Sequence, residues 1–205
     1  MSDLTGDVEG SRAAKNALRS RLITARRALT PADRSLLAAQ LQDQILAFVR
    51  REHPATIAAY VPVGPEPGGP DLPSVLAGYA RVLLPVLLPD NDLDWAVFTG
   101  SVSPGPRGLR EPTGPRLGVG ALTSADLVLV PALAVDRSGN RMGRGGGSYD
   151  RALARLSGSR PRILALLHEG ELVEAVPAEP HDRPVHGAIT PRGGLTLNRA
   201  AEWTK

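Results

Sequence analysis

The sequence predicts an α/β protein, a mainly parallel sheet flanked by helices in a single domain. Three observations carry this. Helical periodicity and short apolar runs of strand length alternate along the chain. Those runs are nearly continuous in apolar residues, as strands covered on both faces are. A chain of 205 residues that is 42% hydrophobic can also fill one substantial core. Residues 1–10, polar and acidic, are expected to be unstructured, and residues 11–205 to form the domain.

From Ser11 to Leu29, apolar residues at Leu18, Leu22, Ala25 and Leu29 make one helical stripe, with Arg12, Lys15, Arg19 and Arg26 on an adjacent one. The cationic stripe reads either as a solvated face or as an edge turned to an anion. Thr30-Pro31-Ala32-Asp33 supplies an N-cap, a proline at the first helical position and an acidic first turn. The second helix it opens runs through Leu41, Ile45 and Val49 and ends before Pro54. Thr56 to Val61 reads as a buried strand, and Val63 to Pro73 as a Gly/Pro-rich loop whose first acidic residue is Glu66.

Arg81 to Leu88 and Leu93 to Phe98 read as strands around the turn Pro89-Asp90-Asn91-Asp92, and Ser101 to Gly120 as a second Gly/Pro-rich connection. The most apolar stretch, Asp126 to Val135, suits a central strand up to Pro131, which should end regular pairing. A helix from about Ser148 to Leu156 and a strand from Arg162 to Leu167 follow. Short strand candidates stand near Leu172 to Val176 and Leu195 to Leu197.

Composition narrows the function. There is no cysteine, hence no disulfide framework and no thiolate metal site, and no apolar run is long enough to span a membrane. The first ten residues lack a signal-like apolar stretch, so the expected location is the cytoplasm. The net charge is only +3, but arginines crowd Arg12 to Arg34 and Arg137 to Arg162, which favours anionic ligands. With 3% aromatic residues and no basic stripe interleaved with Tyr or Phe, small phosphates are favoured over nucleic acid.

The run from Asp136 to Arg151 is where such a ligand would bind. Gly143, Gly145, Gly146 and Gly147 allow close backbone approach, and a helix opening near Ser148 aims N–H groups at the same place. Arg141 and Arg144 add guanidinium donors shaped for phosphate oxygens, and Asp150 is a candidate magnesium ligand. It is neither a P-loop nor a dinucleotide fingerprint, and it also reads as a flexible strand-to-helix loop with solubilising arginines.

The string Val130-Pro131-Ala132-Leu133-Ala134-Val135-Asp136, continuing through Gly139-Asn140-Arg141-Met142-Gly143-Arg144-Gly145-Gly146-Gly147 to Tyr149-Asp150-Arg151, resembles the signature of the 5-formyltetrahydrofolate cyclo-ligase family. Lys15 to Arg19, Tyr60 to Glu66, Gly108 to Pro112 and Pro177 to Asp182 fit the same order, so the resemblance spans nearly the whole chain. It implies a fold of the sugar-phosphate-isomerase and CoA-transferase type. It also implies conversion of 5-formyltetrahydrofolate and ATP to 5,10-methenyltetrahydrofolate, ADP and phosphate, with Mg2+ as cofactor.

Carried over by position, ATP contacts fall on Lys15, Arg19, Arg141, Met142, Gly143, Arg144, Gly145, Gly146, Gly147, Ser148 and Tyr149. Folate contacts fall on Val61, Glu66, Arg144, Gly145, Gly146, Gly147 and Ser148, and magnesium-associated carboxylates on Asp150 and Asp182. Arg144 is the expected transition-state group, and Glu66 is expected to sit away from the phosphate loop. The partners implied are small molecules, with neither nucleic acid nor membrane, and the chain is expected to act as a monomer.

The sequence departs from the family pattern at Gly68, Gly69, Gly146, Ser148 and His186, and of these Gly69, Ser148 and His186 motivate an alternative: a folate- or nucleotide-binding protein with reduced catalysis. A basic interaction module is the third reading. His181 and His186 read as solvent-exposed rather than zinc ligands. Trp95 and Trp203 read as packing residues, with stacking on a pterin as the alternative, and Glu111 as a turn residue.

Overall fold

The computed structural model describes residues 4–156, 161–179 and 182–198, with side chains from Ala13 onward. His181 and Trp203 lie outside the described residues, as does part of the Pro177 to Asp182 segment. Helix α1 (Leu4–Ala28) begins upstream of Ser11, so residues 4–10 of the segment expected to be unstructured carry helical backbone. Helix α2 (Pro31–Glu52) starts as its sequence dictates. The Thr30 hydroxyl accepts from the Asp33 N–H while the Asp33 carboxylate accepts from the Thr30 N–H, a reciprocal capping box.

The main sheet joins β1 (Thr56–Ala58), β2 (Arg81–Leu87), β3 (Leu93–Val97), β6 (Leu127–Pro131), β9 (Arg162–Leu166), β11 (Gly187–Thr190) and β12 (Gly194–Leu197) in the order β12-β11-β9-β6-β1-β2-β3. The inner five strands are parallel, and antiparallel hairpin partners close both edges. Both faces are apolar with the period of two that a strand imposes. Val128, Val130, Ile163 and Ala165 point into one cluster, which also takes Leu153 of α4 (Ser148–Ala154). Leu127, Leu129, Leu164 and Leu166 point into the other, closed by Leu41 and Ile45 of α2 and by Leu72 and Leu76 of α3 (Leu72–Ala77).

Strands β4 (Val102–Pro104) and β5 (Arg110–Pro112) form a small hairpin inside the expected connection Ser101 to Gly120. Strand β7 (Ala134–Asp136) pairs with β8 (Arg141–Met142) and with β10 (Leu172–Val173) in a second sheet. This sheet supports α1, since Leu22 packs with Leu133, Ala134, Met142 and Val176. Trp95 is fully buried in the core, in keeping with a packing role.

Candidate active site

The loops that leave the carboxyl ends of β1, β2 and β6 surround a cleft of about 850 Å³, which α1 and the β4–β5 hairpin wall from either side. This is where ligands gather on open parallel sheets, because chain reversals there leave a crevice. The volume falls in the upper part of the range of roughly 300–1,000 Å³ usual for small-molecule sites.

The glycine-arginine loop is positioned from below by Asp136. Its carboxylate accepts from the N–H groups of Ser138, Asn140 and Val176 and from the Asn140 amide, at 2.8 to 3.0 Å. Burial alone would raise the Asp136 pKa, but these donors outweigh it and hold it below the usual carboxylate value. The loop then turns through Gly145 at φ +100° and Gly147 at φ +69°, conformations in which a side chain is strained. Gly147 caps the short helix α4 without a side-chain hydrogen bond, and Ser148, Tyr149 and Asp150 of its first turn line the cleft.

Helix α1 turns its cations toward this loop. The Arg19 Nε donates to the Gly143 carbonyl at 3.3 Å, and its guanidinium passes 3.9 Å from where a Cβ on Gly145 would stand. Lys15 is nearly buried and donates to Asp182 Oδ2 at 2.8 Å, with Glu179 at 3.7 Å. The basic stripe is therefore not a solvated face, since Lys15, Arg19 and Arg26 all line the cleft. Ala25, assigned to the apolar stripe, is the residue left exposed.

Two expected ligand side chains are engaged otherwise. Met142 is fully buried and packs under α1, so what it offers the loop is rigidity. Arg141 is buried as well, with one amino group donating to Asp150 Oδ1 at 2.7 Å and the other to the Pro131 carbonyl at 3.2 Å. It holds Asp150 in place at the mouth of α4 and lies over the Tyr149 ring. The Tyr149 hydroxyl is buried without a partner, and burial, reinforced by the Glu66 charge, pushes its pKa far above the usual value.

Glu66 corrects an expectation. Far from lying away from the phosphate loop, its carboxylate faces Arg144 at 3.4 Å. Glu66 is mostly buried and fixed by the Val63 N–H, whereas Arg144 is largely exposed at the loop tip. Val61, Gly145, Gly146, Ser148 and Asp150 line the same cleft. Of the departures from the family pattern, Gly146 and Ser148 lie within it. His186 does not, because its Nδ1 accepts from the Ile163 N–H at the start of β9.

Supporting residues escaped the sequence reading. Arg26 is 5% exposed and makes a two-pronged ion pair with Glu171 at 2.6 and 2.7 Å. Glu171 also accepts from the His168 N–H, and the His168 Nε2 meets the Pro65 carbonyl at 3.0 Å. A carbonyl can only accept, so Nε2 carries the proton. Burial holds the His168 pKa below its usual value, which keeps the ring neutral. The chain Arg26–Glu171–His168–Pro65 thus ends one residue short of Glu66. No local pattern announces it, because its members are 145 and 103 positions apart.

Asp150 and Asp182 are hard oxygen donors of the kind magnesium takes. Both recorded hydrogen bonds of Asp150 fall on Oδ1, from Arg141 and from the Arg183 N–H. Among the described residues no three His, Cys, Asp or Glu side chains gather into a metal cage.

The 5-formyltetrahydrofolate cyclo-ligase from Mycolicibacterium smegmatis is 39% identical over 192 residues, 90% of this chain and 97% of that protein. The Escherichia coli K12 protein of the same name is 36% identical over 70 residues, 34% of this chain and 38% of its own. In fold, the chain resembles Aquifex aeolicus 5,10-methenyltetrahydrofolate synthetase with a TM-score of 0.77 at 22% identity, covering 93% of this chain and 96% of that one. It also resembles the Mycoplasma pneumoniae synthetase with a TM-score of 0.68 at 22% identity, covering 87% and 99%. The model of the 5-formyltetrahydrofolate cyclo-ligase family matches residues 11–191, and the chain belongs to that family.

Proposed function

We propose that the cleft binds ATP and 5-formyltetrahydrofolate side by side and closes the folate ring, releasing 5,10-methenyltetrahydrofolate, ADP and phosphate. The observation that carries this is the meeting of Arg144 and Glu66 at 3.4 Å, which joins the phosphate loop to the loop after β1 in one cavity. A formamide is a poor electrophile. Transfer of the γ-phosphoryl group to the formyl oxygen turns that oxygen into a leaving group. The N10 amine then attacks the formyl carbon, loses its proton, and phosphate departs with the oxygen.

The protein's part is to place the two substrates in line and to stabilise charge on the moving phosphoryl group. Arg19, the loop N–H groups and the exposed Arg144 are suited to this. Lys15 joins them once phosphate competes with Asp182 for its ammonium. Magnesium, held through Asp150 and Asp182 together with ATP phosphates, would neutralise phosphate charge. We take a monomer as the working unit. Lys15, Arg19 and Arg26 of α1 line the cleft, which argues for small-molecule partners over nucleic acid. Among the described residues no helix is long and apolar enough to cross a membrane. We assign the enzyme to the cytoplasm.

The test is an absorbance assay for methenyl-folate. Turnover of the 5-formyl but not the 10-formyl isomer is expected, with one ADP per product and no activity after magnesium is chelated. Chelator-insensitive turnover would remove the metal from the scheme. Thermal stabilisation by ligands without turnover would instead indicate a binding protein with reduced catalysis.

The Glu66–Arg144 pair sharpens a second expectation. Glu66→Gln keeps the shape but removes the charge that faces Arg144, so both the KM for folate and kcat should worsen. Steady-state kinetics in both substrates checks this. A change in folate KM alone would show that the pair has no part in phosphoryl transfer.

A further inference from the structure

The β4–β5 hairpin walls the end of the cleft formed by the β2 and β3 residues Pro85, Leu87 and Leu93. It is fixed to the sheet by Glu111, whose Oε1 accepts from the Leu87 N–H at 2.9 Å. That side chain runs 2.6 Å from where a Cβ on Gly105 would stand, so only glycine lets it through. The turn is closed by the Gly105 N–H to the Leu109 carbonyl at 2.8 Å, and the base by Ser101 and Thr113 at 2.8 Å. Arg107 sits at the tip in a left-handed conformation, φ +56°.

This anchored hairpin turns Arg107, Leu109 and Arg110 into the cleft. Both arginines are exposed, and no carboxylate among the described residues is within ion-pair distance of either. At the phosphate end, by contrast, Lys15 is matched to Asp182, Arg141 to Asp150 and Arg144 to Glu66, while Arg19 is tied to the Gly143 carbonyl and the Asn16 side chain. An apolar floor of Leu87, Leu93 and Leu109 beneath two unmatched guanidinium groups suits an aromatic ring that trails carboxylates.

We propose that Arg107 and Arg110 bind the glutamate carboxylates of the folate while Leu87, Leu93 and Leu109 take its benzoyl ring. This rests on the folate reading of the cleft. It orients the substrate, with the pterin toward Glu66 and the tail toward the hairpin, and it makes the hairpin the element that senses the number of γ-linked glutamates.

The experiment compares mono- and triglutamyl 5-formyltetrahydrofolate with the wild type, R107A/R110A and R107K/R110K, by steady-state kinetics and by calorimetric binding. The alanine pair should raise the KM and Kd for the triglutamate by roughly tenfold or more, as loss of a charge-assisted hydrogen bond implies, and by clearly less for the monoglutamate. The lysine pair should restore part of the difference, and the KM for ATP should move less than twofold. Equal rises for both chain lengths, no rise, or a matching rise for ATP would overturn the proposal. Calorimetry reads the two arginines whether or not chemistry follows. Chain-length-dependent binding without turnover would therefore sink the ligase reading and leave the subsite standing, and turnover without that dependence would do the reverse.

Discussion

Arg144→Ala is expected to lower kcat by about a hundred- to a thousandfold, a loss of about 3–4 kcal/mol of transition-state stabilisation, as removal of one preorganised donor does elsewhere. The side chain is 61% exposed and stands between two glycines, so truncating it removes almost no packing. Its recorded partner is the Glu66 carboxylate at 3.4 Å, a long contact that a phosphoryl oxygen can replace. The guanidinium is therefore held at the loop tip without being spent. Arg144→Lys should recover only part of the loss, because an ammonium keeps the charge and gives up the two-pronged geometry. Melting without ligand should stay within a degree or two, since an exposed ion pair contributes about 0–1 kcal/mol. A near-normal kcat in Arg144→Ala would place the transition-state group elsewhere in the cleft.

Burial sorts the arginines of this site in a way their spacing could not. Arg141 and Arg144 both belong to the glycine-arginine run, and both were assigned to phosphate on chemistry alone. In the fold, Arg141 is in β8, whose pairing with β7 turns it inward onto Asp150 and the Pro131 carbonyl. Arg144, beyond the end of that strand, is carried out to solvent. A two-residue strand inside a loop leaves no hydrophobic period to detect, and the same holds for the three-residue β4 and β5.

The long-range parts were legible where local rules decide them. The capping box at Thr30 and Asp33 fixes the start of α2, and continuous apolar runs set β1, β2, β6 and β9 as buried strands. Helix α3 overlaps the end of the expected Val63 to Pro73 loop only at Leu72 and Pro73, and its six residues are too few to show a helical period. Gly187 to Thr190 passed unnoticed as a strand although it pairs with both β9 and β12, since four residues flanked by polar segments carry little pattern.

The same limit hid the Arg26–Glu171 pair, and breaking that pair should cause the largest loss of stability of any single change here. Both side chains are almost fully enclosed, at 5% and 4% exposure, and two parallel hydrogen bonds link them. Arg26 also donates to the Ala132 carbonyl, and Glu171 also accepts the His168 N–H, so neither charge has spare partners. Removing one member leaves a buried charge without compensation, which costs about 3–5 kcal/mol against a total stability of about 5–15 kcal/mol. Glu171→Ala should therefore shift the urea midpoint sharply at unchanged slope. Replacing both, Arg26→Met with Glu171→Leu, should return most of the stability, because an apolar pair of similar volume needs no charge partner. Activity should not return with it. Arg26 lines the cleft and holds the carbonyl of Ala132, and Glu171 with His168 steadies Pro65 next to Glu66. The double variant is expected to melt like the wild type while its kcat/KM stays depressed. If Glu171→Ala loses less than about 1 kcal/mol, the pair is solvated rather than buried, and the support it gives to the Glu66 loop falls with it.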